Sequence, residues 1–194
     1  MLFNLLVPLA GDFQFFNLFR YLTFRTGGSV VTALVISFII GPYVINWLKS
    51  KQGEGQPIRE DGPASHLLTK RGTPTMGGSF ILIALLVSTL LWADLSNGFV
   101  WVVLFVTAGF GLIGFADDYR KLTRRSHHGV SGRIRLAVEF GIVAVAFVWI
   151  AHLTGQPLAT SLAVPILKDV LIDFGWFFIL FACLVVVGTS NAVN

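Results

Sequence analysis

The sequence predicts an all-α, polytopic membrane protein, and three observations carry that prediction. Of the 194 residues, 55% are hydrophobic and 12% are charged, with a mean hydropathy of +0.77. Soluble domains carry about 25% charged residues, and a soluble core cannot hide this much apolar surface. The apolar residues are gathered into runs near the roughly 20 residues that a helix needs to cross the hydrocarbon. None of the runs shows the period-two alternation of a transmembrane barrel strand.

Five spans are expected, at residues 30–48, 76–93, 98–116, 134–153 and about 174–187. The second and third contain no charge, and the fourth is interrupted only by Arg135, Glu139 and His152 near its ends. Ahead of them there is no basic n-region and no small-residue cleavage pattern, so a signal peptide is not expected. Residues 13–24, aromatic-rich with Arg20 inside, read as an interfacial helix leading into the first span. The connection 153–173, with Gly155, Pro157 and Pro165, reads as a loop with a short interfacial stretch. Cys183, the one cysteine, excludes an internal disulfide and reads as a small buried hydrophobe. There is no internal repeat, and 1–194 reads as one transmembrane domain.

Lysine and arginine set the orientation. Lys49, Lys51, Arg59, Lys70 and Arg71 lie between spans one and two; Arg120, Lys121, Arg124, Arg125, Arg133 and Arg135 lie between spans three and four. These are eleven of the fourteen basic residues. The loops 49–75 and 119–133 are therefore expected in the cytoplasm, the N-terminus and 154–169 outside, and the end of the fifth span in the cytoplasm. Arg25 sits on the wrong side of the rule. The basic residues serve orientation and anionic lipid headgroups, and no nucleic-acid partner is expected.

Four features carry chemistry. Asp117 and Asp118 follow a charge-free run, at what reads as a helix C-terminus, where the macrodipole disfavours an acid by about 0.3–1 kcal/mol. Neighbouring helical residues point about 100° apart, so the two do not act as one unit. One can reach a bound Mg²⁺ or a substrate proton while the other supports it, and Mg²⁺ needs only one or two protein carboxylates beside substrate phosphates. The alternative is a solvated helix end balanced by Arg120 and Lys121. The stretch from Lys70 to Gly78, Lys-Arg-Gly-Thr-Pro-Thr-Met-Gly-Gly, joins two cations, hydroxyls and three glycines at a helix N-terminus, a natural phosphate seat, although the glycines and proline could simply shape the loop entry. It lacks the spacing of a Walker loop. The basic run 120–135 holds His127 and His128 without metal-ligand partners. Asn191 and Asn194 end the fifth span, where asparagine is often an interhelical hydrogen-bond partner. All four features are expected on one face of the membrane, where a soluble phosphorylated donor could meet a lipid phosphate.

Those residues also resemble a known family. Gly-Gln-Pro-Ile-Arg-Glu-Asp-Gly-Pro-Ala-Ser-His at 55–66, the stretch 70–78, Asp-Asp-Tyr-Arg-Lys at 117–121 and Asn-Ala-Val-Asn at 191–194 are similar, in order and spacing, to the phospho-MurNAc-pentapeptide transferases. These belong to the polyprenyl-phosphate sugar-phosphate transferase superfamily. Relatives that transfer N-acetylglucosamine phosphate lack the stretch and usually have an aspartate where Lys121 stands. The resemblance implies Mg²⁺-dependent attack of undecaprenyl phosphate on the sugar-linked phosphate of UDP-MurNAc-pentapeptide, giving lipid I and UMP. It also implies an inner-membrane protein of ten spans, usually a dimer. It makes Asp117 and Asp118 catalytic and metal-binding, and His66, Lys70, Thr75, Lys121, Arg135, Asn191 and Asn194 substrate-binding. Arg135 stands where the family carries a lysine, keeping the charge but not the compact ammonium. The family continues past Asn194, so the chain reads as an N-terminal half, inactive alone, with Gly109, Gly111, Gly114 and Asn191 left facing lipid. Two other readings compete: a superfamily member using a different nucleotide sugar, and a non-catalytic membrane module. A transporter would carry acids or helix breaks near mid-span.

Overall fold

The computed structural model describes residues 1–52, 74–124, 129–155, 157–164 and 167–192. Helices α1 (Leu2–Leu6), α2 (Leu22–Gln52), α3 (Gly78–Trp92), α4 (Gly98–Arg124), α5 (Gly132–Thr154) and α6 (Phe178–Ala192) carry the chain, with short 3₁₀ turns at Val7–Gly11, Gln14–Arg20, Leu158–Thr160 and Gly175–Phe177. The protein is all-α and polytopic. Large apolar side chains lie on its surface, Phe38 at 77% exposure and Phe177 at 76%, which lipid accommodates and water would not.

Four of the five expected spans are long and apolar enough to cross a membrane: Leu22–Gln52, Gly98–Arg124, Gly132–Thr154 and Gly175–Ala192. The expected second span is α3, whose 15 residues reach roughly 22 Å at 1.5 Å per residue, short of the roughly 30 Å hydrocarbon. The expected interfacial helix is a 3₁₀ turn, after which α2 begins at Leu22. The connection 153–173 holds something the sequence reading lacked, an antiparallel pair of strands, β1 (Ser161–Val164) and β2 (Leu167–Asp173).

The chain forms two compact units. In the first, Met1–Asn97 with Gly111–Ser131, α2 packs on α3 through aromatic residues. Trp92 stacks on Phe19 at 5.7 Å and meets Phe24 edge-on at 5.9 Å, and its Nε1 donates to Thr32 Oγ1 at 2.8 Å. Gly28 is required there, because a Cβ would overlap the Trp92 ring. The Met1 ammonium donates to the carbonyls of Leu90 and Ala93 at the end of α3. Arg25, anomalous by the orientation rule, lies 4.4 Å over the Phe3 ring, a contact that suits a guanidinium.

In the second unit, Gly98–Phe110 with Gly132–Asn194, α5 packs on α6 through Val143, Cys183 and Val187, with Phe110 against them. A Cβ on Gly109 would lie 2.8 Å from Ile142 Cδ1. In the first unit, a Cβ on Gly111 would overlap Leu82. These two glycines therefore seat partners within this chain rather than facing lipid. The strand pair is tied at its base: Thr160 Oγ1 donates to Asp173 Oδ1 at 2.7 Å, and Gly175 N–H donates to the same oxygen at 2.8 Å. Gly175, at φ 53°, makes the bend into α6.

Candidate functional site

The aspartate pair does not end its helix. α4 runs on to Arg124, so Asp117 and Asp118 lie about two turns inside it, beyond the reach of the terminal dipole. The helix dipole therefore does not oppose the pair, contrary to the expectation from the sequence; the last turn holds Lys121 and Arg124 instead, the cations such an end prefers. The apolar run read as the span ends at Ala116, but helix hydrogen bonding continues through the charged residues that follow.

What distinguishes the two acids is their contacts. Asp117 Oδ1 accepts the Val130 N–H at 2.7 Å, and its Oδ2 pairs with Lys121 Nζ at 2.6 Å, one turn on. Asp117 thus holds the chain where it returns toward α5. Gly129 permits this approach, because a Cβ there would overlap the Asp117 carboxylate. Asp118 turns elsewhere: its Oδ2 accepts the Thr75 hydroxyl at 3.0 Å. The divergence expected for adjacent helical residues is observed.

Thr75 is fixed from a second side. Its N–H donates to Gln52 Oε1 at 2.8 Å, and Gln52 Nε2 donates back to the Thr75 carbonyl at 3.1 Å. The last residue of α2 therefore grips the backbone just before α3 with both ends of its amide. Met76 follows at φ 69°, the one non-glycine residue with positive φ among those described. Such a backbone costs a bulky residue about 1–2 kcal/mol, and strained positions concentrate at functional sites. The Met76 carbonyl accepts from Ser79 N–H and Ser79 Oγ, which closes the turn onto α3. Gly77 and Gly78 have open space where a Cβ would go.

The first unit thus brings together Thr75, Asp117, Asp118 and Lys121, with Arg120, whose Nε is buried without a hydrogen-bond partner among the described residues. The second unit, separately, brings together Arg135 and Asn191 through Glu139, whose Oε1 accepts from Arg135 Nε at 2.9 Å and Oε2 from Asn191 Nδ2 at 2.5 Å. His66, Lys70 and Asn194, and most of the loop 49–75, lie outside the described residues. Gln52 and Glu139 were missed in the sequence: one reads as a helix-end polar residue, the other as a charge interrupting a span. The second unit also holds an apolar cavity of about 310 Å³ between residues such as Val106, Phe147 and Val186. Its lining has no titratable group, so it is not a place for phosphate chemistry.

Comparison with known proteins places these residues. The model of Glycosyl transferase family 4 matches residues 100–194, and the Phospho-N-acetylmuramoyl-pentapeptide-transferase signature 1 matches residues 70–82. Proteins named phospho-N-acetylmuramoyl-pentapeptide-transferase from Granulibacter bethesdensis and Maricaulis maris are 58% and 54% identical to this chain over its whole length. Over its whole length the chain is therefore similar to phospho-N-acetylmuramoyl-pentapeptide transferases. It spans about half the length of these curated relatives, 54% of each. The transferase signature contains Thr75 and Met76, so the Thr75–Asp118 hydrogen bond joins the signature to the stretch matched by the wider family.

The described residues contain no group of three or more His, Cys, Asp or Glu arranged to hold a metal. A Mg²⁺ ion does not need one, since it keeps waters and takes phosphate oxygens. Asp117 has both oxygens engaged, whereas among the described residues Asp118 is held through Oδ2 alone. This donor set is compatible with Mg²⁺, and of the two acids Asp118 is the one that keeps an unengaged oxygen among the described residues.

Proposed function

We propose that this chain forms the aspartate-bearing part of a Mg²⁺-dependent phospho-MurNAc-pentapeptide transferase of the bacterial inner membrane. The full protein would move phospho-MurNAc-pentapeptide from its UDP donor to undecaprenyl phosphate, giving lipid I and UMP in peptidoglycan synthesis. The observation that carries this reading is the Thr75–Asp118 hydrogen bond, which sets the signature stretch against the acid pair. Bound Mg²⁺ would neutralise charge on the donor diphosphate. Asp118, oriented by Thr75, would be the acid that holds this ion, and Asp117 would fix Lys121 and the chain at Val130 beside it. Arg120 and Lys70 supply cations for the diphosphate, with Lys121, Arg135, Asn191, Asn194 and His66 as further donor contacts. In this reading loops 49–75 and 119–133 are cytoplasmic, 154–169 is extracytoplasmic, and the full-length protein is a homodimer. The 194-residue chain alone is expected to be inactive.

The test is lipid I formation by the full-length protein. Asp118→Asn should lower turnover at least about a hundredfold, roughly 2.7 kcal/mol of transition-state stabilisation. Near-normal turnover would reduce the acid pair to a structural feature. Activity with a different nucleotide sugar, and none with UDP-MurNAc-pentapeptide, would favour another superfamily member.

A further inference from the structure

Among the described residues Glu139 is the largest of the fully buried side chains, at 1% exposure, in an otherwise apolar part of α5. A carboxylate is not left there without partners, because an unpaired buried charge is strongly destabilising. Its two oxygens serve two elements. Oε1 accepts from Arg135 Nε, one turn earlier on α5, and Oε2 accepts from Asn191 Nδ2 in the last turn of α6. Asn191 Nδ2 also donates to the Val187 carbonyl at 2.9 Å, which fixes the amide's orientation. Arg135 keeps 26% of its side-chain surface where Glu139 keeps 2%, so the acid is the buried base of the cluster and the guanidinium its accessible part.

We infer that Glu139 is a positioning residue for the donor site: it holds Arg135 and Asn191 in the geometry in which they meet the nucleotide sugar. This rests on the proposed assignment of those two residues to the donor. The position calls for a carboxylate. Both partners present N–H donors, and only a group with two acceptor oxygens satisfies both. Glutamine offers one acceptor and one donor, so it keeps one partner and opposes the other. Asn191 cannot answer by rotating its amide, because its oxygen would then face the Val187 carbonyl.

The experiment uses the full-length protein with Mg²⁺, undecaprenyl phosphate and varied donor, and compares Glu139→Gln with Arg135→Ala, Asn191→Ala and their combinations. Glu139→Gln should raise the KM for the donor about tenfold while kcat changes less, and in the Arg135→Ala/Asn191→Ala background the same substitution should change KM less than about twofold, because its effect passes through those residues. A clamp that merely joins α5 to α6 would instead lower the melting temperature in detergent and leave KM unchanged. If Arg135→Ala and Asn191→Ala raise KM but Glu139→Gln does not, or if its full effect persists in the double-alanine background, the positioning role is overturned and the donor assignment stands. If Arg135→Ala and Asn191→Ala both leave KM unchanged, the donor assignment itself fails, and the inference with it. Should Glu139→Gln fail to fold, Glu139→Asp, which keeps the charge but withdraws it by one methylene, is judged by the same criteria.

Discussion

Thr75→Val separates a hydroxyl from a shape. Valine has nearly the volume of threonine and the same branching at Cβ, so packing at the entry to α3 is kept while Asp118 Oδ2 loses the donor now 3.0 Å away. From the sequence, the Thr75 hydroxyl reads as one neutral hydrogen bond, worth about 0.5–1.5 kcal/mol, and Thr75→Ala ranks as milder than Lys70→Ala. In the structure its partner is a carboxylate, and hydrogen bonds to charged groups contribute about 1.5–3 kcal/mol. The contact is only partly buried, so water replaces some of what is lost and the lower part of the range applies. A loss of about 1.5–2 kcal/mol is a fall of about 13- to 30-fold in kcat/KM. Thr75→Ser keeps the donor and should stay within about threefold of the parent. The assay is lipid I formation by the full-length protein at varied donor concentration. Equal activity of the valine and serine variants would refute the reasoning, because the hydroxyl would then do nothing for Asp118.

Gln52→Leu keeps the bulk at the end of α2 but removes both amide contacts to Thr75; at about 0.5–1.5 kcal/mol each it should lower kcat/KM about tenfold, and parental kinetics would show that Thr75 is held without it. Gly129→Ala should impair turnover more than Gly78→Ala, since only the former drives a Cβ into the Asp117 carboxylate; the reverse order would mean that the open space at Gly78 receives a ligand. Cysteines at Ser65 and Leu158 should label from the cytoplasmic and outer sides respectively, Leu158 being chosen because it is 61% exposed whereas Thr160 is buried; labelling of position 65 from outside intact cells would overturn the topology. The Thr160 hydroxyl and the Gly175 N–H hold the Asp173 carboxyl below its ordinary value. Its stabilisation of the strand pair is thus present above the usual aspartate pKa near 3.9 and is lost as pH falls through the lowered value. Amide exchange across β1 and β2 should accelerate in that acid window, and Asp173→Asn should remove the pH dependence.

The fold class and four of the five expected spans were legible because hydrocarbon thickness writes itself into the length of apolar runs. Helix ends were not, because an apolar run reports burial in lipid and a helix reports backbone hydrogen bonding. At α4 the two diverge: the run stops at Ala116 and the helix at Arg124. The acid pair was legible as a pair, but not as mid-helix residues: with the helix continuing to Arg124, the dipole does not oppose them. The strand pair escaped notice because β1 has four residues and Pro165 separates it from β2. Gln52 and Glu139 escaped for another reason. Each matters through a partner distant in sequence, Thr75 and Asn191, and no local pattern announces such a pairing.

Two acids in succession give a helix two carboxylates on one level, about 100° apart. In α4 one vector meets the returning chain at Val130 and the other meets the signature stretch at Thr75. A single acid could not do both, and acids three or four residues apart would share a face and reach the same side of the helix. Adjacency therefore assigns the roles: the acid saturated by Val130 and Lys121 fixes the local frame, and the acid held by one hydroxyl keeps coordinating capacity. Asp117→Asn should accordingly loosen the chain at Val130 as well as lower turnover, because an amide nitrogen facing either Lys121 or the Val130 N–H is repelled. Asp118→Asn should lower turnover with the Val130 amide still protected from exchange. Equal loss of Val130 protection in both variants would mean that the two acids form one structural unit and that the division of labour read from their contacts is wrong.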